Sequence, residues 1–120
     1  MGKRVMVVDD SNTQTYQIEQ LLEDTEFTVE THCKNGEEAI AMYGMIQPDI
    51  VMMDIIMPGL DGLETARAIL EEYPDARIVM VSSLAYEDTI EEAKEIGAKG
   101  FLCKPISVKS LLETLEKALT

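Results

Sequence analysis

The chain has few cysteines, few basic residues and no long apolar run. Only Cys33 and Cys103 occur, in no Cys-x-x-Cys pair, so no cysteine framework holds the fold and two free thiols in a reducing compartment are expected. No apolar stretch approaches the roughly 20 residues that cross a bilayer, so no membrane is expected as a partner. The leading Met-Gly-Lys-Arg passes straight into the short apolar run Val5–Val8. That run is shorter than a signal peptide's apolar region of about 7–15 residues, and no small-residue cleavage site follows it. A cytoplasmic protein is expected. Lys and Arg number 10 against 23 Asp and Glu, for a net charge of −13. Nucleic-acid phosphates would repel such a surface, so no nucleic-acid partner is expected. Linkers, internal repeats and low-complexity tracts are also absent, which leaves one domain over residues 1–120.

What is present suffices for a core. Hydrophobic residues make up 46% of the 120, which argues against disorder. A chain of this length buries roughly two thirds of its unfolded surface without staples.

Short apolar runs alternate with longer amphipathic ones. Strands are expected at Arg4–Val8, Phe27–Thr31, Asp49–Met53, Arg77–Val81 and Gly100–Cys103. Between and after them fall helical patterns. The first is Asn12–Asp24, with Ile18, Leu21 and Leu22 on one face. The second is capped by Asn35 with Glu38 three residues on, and buries Ala39, Ile40, Tyr43 and Ile46. Asp61 and Glu64 repeat the capping spacing before Leu63, Ala66, Ile69, Leu70 and Tyr73. A fourth helix, about Tyr86–Ile96, has a sparse face of Ile90, Ala93 and Ile96, and Gly97 can end it. Ser107 can cap the last, which is expected to bury Val108, Leu111, Leu112, Leu115 and Leu119. The runs Val5–Val8, Ile50–Met53 and Ile78–Val81 are apolar at successive positions, as strands covered on both faces must be. An α/β fold follows: a doubly wound, five-stranded parallel sheet with five helices on its two faces. Pro48, Pro58, Pro74 and Pro105 all fall between elements, where they break no ladder. Periodicity leaves the strand order open.

Ligands in an open parallel sheet collect beyond the carboxyl ends of the strands. Asp9 and Asp10 follow the first strand, Asp54 closes the third, Ser82 and Ser83 follow the fourth, and Lys104 follows the fifth. His32, Cys33 and Lys34 follow the second and suggest no chemistry. Three carboxylates, a hydroxyl and a lysine thus gather at one edge. Crowded carboxylates repel, and a hard dication relieves them; an all-oxygen ligand set suits Mg²⁺. A carboxylate there can act as a nucleophile and form an aspartyl phosphate. Lys104 and Ser82 are placed to share the charge on a transferring phosphoryl group. Singly, each residue is equally a turn or cap residue; their coincidence carries the reading.

The motifs Val-Val-Asp-Asp at 7–10, Met-Asp-Ile-Ile-Met-Pro-Gly-Leu-Asp-Gly at 53–62, Val-Ser-Ser at 81–83 and Gly-Phe-Leu-Cys-Lys-Pro at 100–105 resemble those of response-regulator receiver domains of two-component systems. In size the chain looks most like the stand-alone, chemotaxis-type receivers. The resemblance implies the flavodoxin-like strand order 2-1-3-4-5. It implies that Asp54 is phosphorylated, and that Asp10, Asp54 and the backbone carbonyl of Ile56 bind Mg²⁺, with Asp9 helping directly or through water. Lys104 would contact the phosphoryl oxygens, Ser82 would close on them, and Phe101 would be the aromatic switch that moves inward with the serine. Phenylalanine there has no hydroxyl, so switching would rest on packing. The Lys104–Pro105 bond would be cis. Ile56 and Leu84 occupy positions that tune phosphoryl loss, and two apolar side chains imply a long-lived phosphoryl state.

The resemblance also implies a signalling phosphoacceptor rather than an enzyme, one that assists its own phosphorylation and dephosphorylation. Its partners would be a sensor histidine kinase or phosphotransfer protein, docking near Asn12, Gln14 and Gln17, and an unknown downstream protein; a monomer is expected. The acidic helix with Glu87, Asp88, Glu91, Glu92 and Glu95 belongs to the usual output surface, and a solvated face is the simpler reading of it. A pseudo-receiver that binds partners without phosphorylation, or a receiver cut from a longer regulator, are the alternatives. A haloacid-dehalogenase-type phosphatase would need Asp-x-Asp after the first strand, and Ser11 stands two residues after Asp9. A nucleotide- or flavin-binding module would need a Gly-rich loop after Val8, and none is there.

Overall fold

In the computed structural model, which describes residues 2–84 and 86–120, five strands alternate with five helices along the chain. Met1 of the leading Met-Gly-Lys-Arg lies outside the described residues. The elements are β1 (Lys3–Val8), α1 (Asn12–Leu21), β2 (Phe27–Cys33), α2 (Gly36–Ile46), β3 (Ile50–Asp54), α3 (Gly62–Glu72), β4 (Ile78–Ser82), α4 (Glu87–Ile96), β5 (Gly100–Cys103) and α5 (Val108–Ala118). All four strand pairings are parallel, in the order β2-β1-β3-β4-β5. This is the doubly wound, flavodoxin-like sheet.

Pleating sends alternate side chains to opposite faces and so builds two cores. Met6, Val8, Val51, Met53, Ile78 and Met80 meet Ala39 and Tyr43 of α2, Ala66 and Ile69 of α3 and Ala93 of α4. Val5, Val7, Ile50, Met52, Val79, Val81 and Leu102 meet Ile18 of α1 and Leu111, Leu115 and Ala118 of α5. The unbroken apolar runs of the inner strands are thus explained by cover on both sides. Each fully buried Leu or Ile contributes roughly 1.5–3 kcal/mol from apolar area alone.

Helix ends follow their capping residues. The Ser11 hydroxyl accepts from Gln14 N–H, Asn35 from Glu38, and Ser107 from Ser110. Asp61 and Glu64 form a full reciprocal capping box at α3. Gly97 ends α4 at φ 103°, a left-handed conformation that a side chain disfavours.

Three expectations need correction. The first helix stops at Leu21 rather than Asp24, because Leu22 closes it by donating to Ile18 and Gln20 carbonyls and Asp24 turns left-handed at φ 62°. The second strand runs on to Cys33, since its last residues pair with Val7 and Val8 of β1. Val108 is 45% exposed rather than buried. It opens the first turn of α5 between exposed Ser107 and Lys109, and the buried stripe begins at Leu111.

Candidate functional site

Parallel strands place all their carboxyl ends on one edge, and the ends of β1, β3, β4 and β5 meet there. Asp9 leaves β1, Asp54 closes β3, Ser82 closes β4 and Lys104 leaves β5. Asp9, Asp54 and Ser82 are 3%, 6% and 2% exposed, whereas Asp10 is open to solvent. One carboxylate oxygen from each of Asp9, Asp10 and Asp54 lies within 4.8 Å of the others. The Lys104 ammonium reaches into this group, 3.3 Å from Asp9 Oδ2 and 3.6 Å from Asp54 Oδ1. The bond between Lys104 and Pro105 is cis.

The two inner carboxylates differ in their support. Asp9 is fully engaged: Oδ1 accepts from Ser11 N–H at 2.8 Å and Oδ2 accepts from Lys104. Its backbone N–H donates to the Cys33 carbonyl at 2.9 Å. Among the described residues, the Asp54 side chain has one polar contact, the longer one to Lys104. Burial, and then the Asp9 charge, pushes its carboxyl up from 3.8 to about 6, with Lys104 pulling the other way. The nucleophile-like position is therefore the one whose charge the protein leaves least compensated.

The donors fit Mg²⁺. They are all oxygens, they crowd negative charge that a dication would neutralise, and the exposed Asp10 leaves the cluster open on one side. Ile56 follows Asp54 by two residues and is 58% exposed, on the same rim. The Ser82 hydroxyl accepts from Leu84 N–H at 3.0 Å, a local turn that holds its oxygen and leaves its proton available to donate. Leu84 itself is 43% exposed. Phe101 pairs with Met80 across β4 and β5, is half-buried against the core, and lines a cavity of about 190 Å³ with Ile90, Ala93 and Lys94. Asn12 and Gln17 are exposed on α1, whose N-terminus follows Asp9 and Asp10. Glu87, Asp88, Glu91, Glu92 and Glu95 are exposed along α4, and Glu92 pairs at 3.4 Å with Arg67.

Two contributors carry no obvious signal in the sequence. Gly62 lets the start of α3 approach the end of β3: a Cβ there would collide with the Asp54 carbonyl oxygen and lie 2.7 Å from Ile55 Cα. The Gly62 N–H donates to the Ile55 carbonyl at 2.8 Å and pins that approach. His32, assigned no role above, has its ring Nε2 2.8 Å from the Asp9 carbonyl oxygen. Only the parallel pairing of β2 with β1 brings that ring to the edge.

Comparison with known proteins agrees with this geometry. The family model described as the response regulator receiver domain matches residues 5–116. The chain is 38% identical over 120 residues to the chemotaxis protein CheY of Halobacterium salinarum, covering 100% of this chain and 99% of that one. It is 36% identical over 115 residues to CheY of Listeria monocytogenes, covering 96% and 97%. Among solved structures, the CheX-CheY-BeF₃-Mg²⁺ complex from Borrelia burgdorferi superposes with a TM-score of 0.93 at 31% identity, over 98% of this chain and 90% of that chain. With the strand order and the carboxylate edge already in place, this chain belongs to the response-regulator receiver domain family.

Proposed function

We propose that the chain is a phosphoacceptor: Asp54 takes a phosphoryl group from a histidine kinase or phosphotransfer protein in a Mg²⁺-dependent reaction, and the modified protein changes partners. The observation that carries this is the buried Asp54 carboxylate, only partly compensated by the Lys104 ammonium, beside Asp9 and Asp10. An Asp54 oxygen attacks phosphorus in line with the departing imidazole nitrogen; the P–N bond breaks and its electrons stay with the ring. Bound Mg²⁺ supplies charge neutralisation for Asp54 and the phosphoryl oxygens. Asp10, Asp54 and the Ile56 carbonyl would hold it, and Asp9, anchored to Ser11, would help. Lys104 lies within a side-chain motion of the phosphoryl oxygens. Ser82 donates its hydroxyl proton to a phosphoryl oxygen once its turn with Leu84 adjusts. Phe101 then packs inward through the adjoining cavity, a move that relies on shape alone.

The chain works in the cytoplasm as one receiver domain over residues 1–120, a monomer that signals without being an enzyme in its own right. The kinase docks beside Asn12, Gln14 and Gln17, next to the site. Incubation with a phosphohistidine donor, with Mg²⁺ or with EDTA, tests the reading. Transfer only with Mg²⁺, yielding an acyl phosphate that alkali and hydroxylamine cleave, is expected. No transfer from phosphohistidine or acetyl phosphate would instead establish a pseudo-receiver that works by binding alone.

A further inference from the structure

His32 is the penultimate residue of β2, opposite Val7, one residue before the ladder closes at Val8 and Cys33. Its ring Nε2 lies 2.8 Å from the Asp9 carbonyl oxygen. A carbonyl oxygen can only accept, so Nε2 carries the hydrogen and donates. The Asp9 N–H donates to the Cys33 carbonyl. Asp9 is therefore tied to β2 on both its amino and carboxyl sides, just where β1 has run out of strand partners. The carbonyl that His32 holds belongs to the peptide joining Asp9 to Asp10. The plane of that peptide sets the direction in which the Asp10 side chain leaves the backbone. Asp9 has four polar anchors of its own, to Cys33, Ser11, Lys104 and His32. Exposed Asp10 is aimed by the backbone that precedes it.

We propose that His32 is a positioning residue for the acidic cluster: its Nε2–H bond to the Asp9 carbonyl holds the Asp9–Asp10 peptide so that the Asp10 carboxylate faces Asp9 and Asp54, and this sets the affinity for the divalent cation. The proposal rests on the reading that the cluster binds Mg²⁺. His32 touches neither cation nor phosphoryl group; it acts through backbone alone. Partners of this outer kind typically change metal affinity by about 10–100-fold when lost. A structural role alone would couple His32 to overall stability instead. The ring borders an open groove of about 460 Å³ between α1 and β2, lined also by Asn12, Thr15, Tyr16 and Glu19. Water in that groove can replace the lost donor without replacing its rigidity, so removal of the ring loosens the peptide rather than collapsing the strand.

The test compares native protein with His32→Leu, His32→Asn and His32→Gln. Leucine keeps bulk without a donor, asparagine has a donor too short to reach, and glutamine carries a donor of similar reach. Mg²⁺ affinity is read by calorimetry, the fold by thermal melting in EDTA, and the peptide by the Asp10 amide resonance in metal-free protein. The proposal expects His32→Leu and His32→Asn to bind Mg²⁺ about tenfold or more weakly, with a displaced Asp10 amide resonance. It expects His32→Gln to recover most of the affinity, whatever the melting temperatures. Leucine and asparagine variants that bind Mg²⁺ as native protein does overturn it, as does a glutamine variant no better than leucine. Native protein that binds no Mg²⁺ overturns the underlying reading and this proposal together; unchanged binding in the variants overturns this proposal alone.

Discussion

Replacing Asp54 with asparagine separates the function of the site from its cost to the fold. Asp54 is 6% exposed and closes a fully buried strand. Its carboxyl is pushed from 3.8 to about 6 by burial and by Asp9, and the Lys104 ammonium offsets only part of this. A folded-state value raised above the unfolded one means that the native state holds the extra proton. The stability this gives is complete below the unfolded value, near pH 4, and is lost as pH rises through about 6. A shift of about two units corresponds to roughly 3 kcal/mol at neutral pH, since each unit is worth about 1.4 kcal/mol. Asparagine keeps the shape and removes the titration. We therefore expect metal-free Asp54→Asn to be more stable than the native protein by about 2–3 kcal/mol at pH 7.5, with the gap shrinking toward pH 4. Urea unfolding followed by circular dichroism in EDTA, at steps from pH 4 to pH 7.5, measures it. Saturating Mg²⁺ should narrow the gap, because a cation that binds only the folded native protein stabilises it by mass action. An asparagine variant no more stable than native at pH 7.5, with a difference flat across pH, would show that the Asp54 charge does not burden the metal-free fold.

Other consequences follow from single contacts. Gly62→Ala should cost about 3 kcal/mol and slow phosphorylation, because its Cβ meets the backbone of Asp54 and Ile55, which cannot step aside. Gly44→Ala is the control: its Cβ lies 2.5 Å from the movable Tyr73 hydroxyl, so a loss under about 1 kcal/mol is expected in chemical denaturation. One thiol should react promptly with an aromatic disulfide reagent, that of exposed Cys103. Cys33, buried and with its thiol pushed up to about 11, should wait for unfolding. Exposed, apolar Ile56 and Leu84 cannot orient an attacking water, so the phosphoryl group should be long-lived and Ile56→Asn should shorten its half-life in a radiolabel chase.

The architecture was legible because its signals were local. Successive apolar residues in β1, β3 and β4 announced cover on both faces, and the caps at Asn35, Asp61 and Ser107 marked where three of the helices begin. Strand order and the gathering of Asp9, Asp54, Ser82 and Lys104 came from family likeness and from the rule that parallel carboxyl ends share an edge. What stayed hidden was set by distant pairing. The extension of β2 to Cys33 depends on β1, and with it the bond from His32 to Asp9. The need for glycine at 62 comes from the path of β3 rather than from any turn of its own. The end of α1 is not legible in the pattern, because Leu22 and Asp24 fit the apolar and polar periodicity of a helix while the backbone has already turned.

On the proposed function, Asp54 accepts the phosphoryl group with Mg²⁺ held beside it. Intact-mass spectrometry after incubation with acetyl phosphate, with Mg²⁺ or EDTA, on native protein and on Asp54→Asn tests it most directly. A gain of one phosphoryl group is expected in native protein with Mg²⁺ alone, and none in the asparagine variant under either condition. A gain that persists in Asp54→Asn, or no gain from either acetyl phosphate or a phosphohistidine donor, would contradict it.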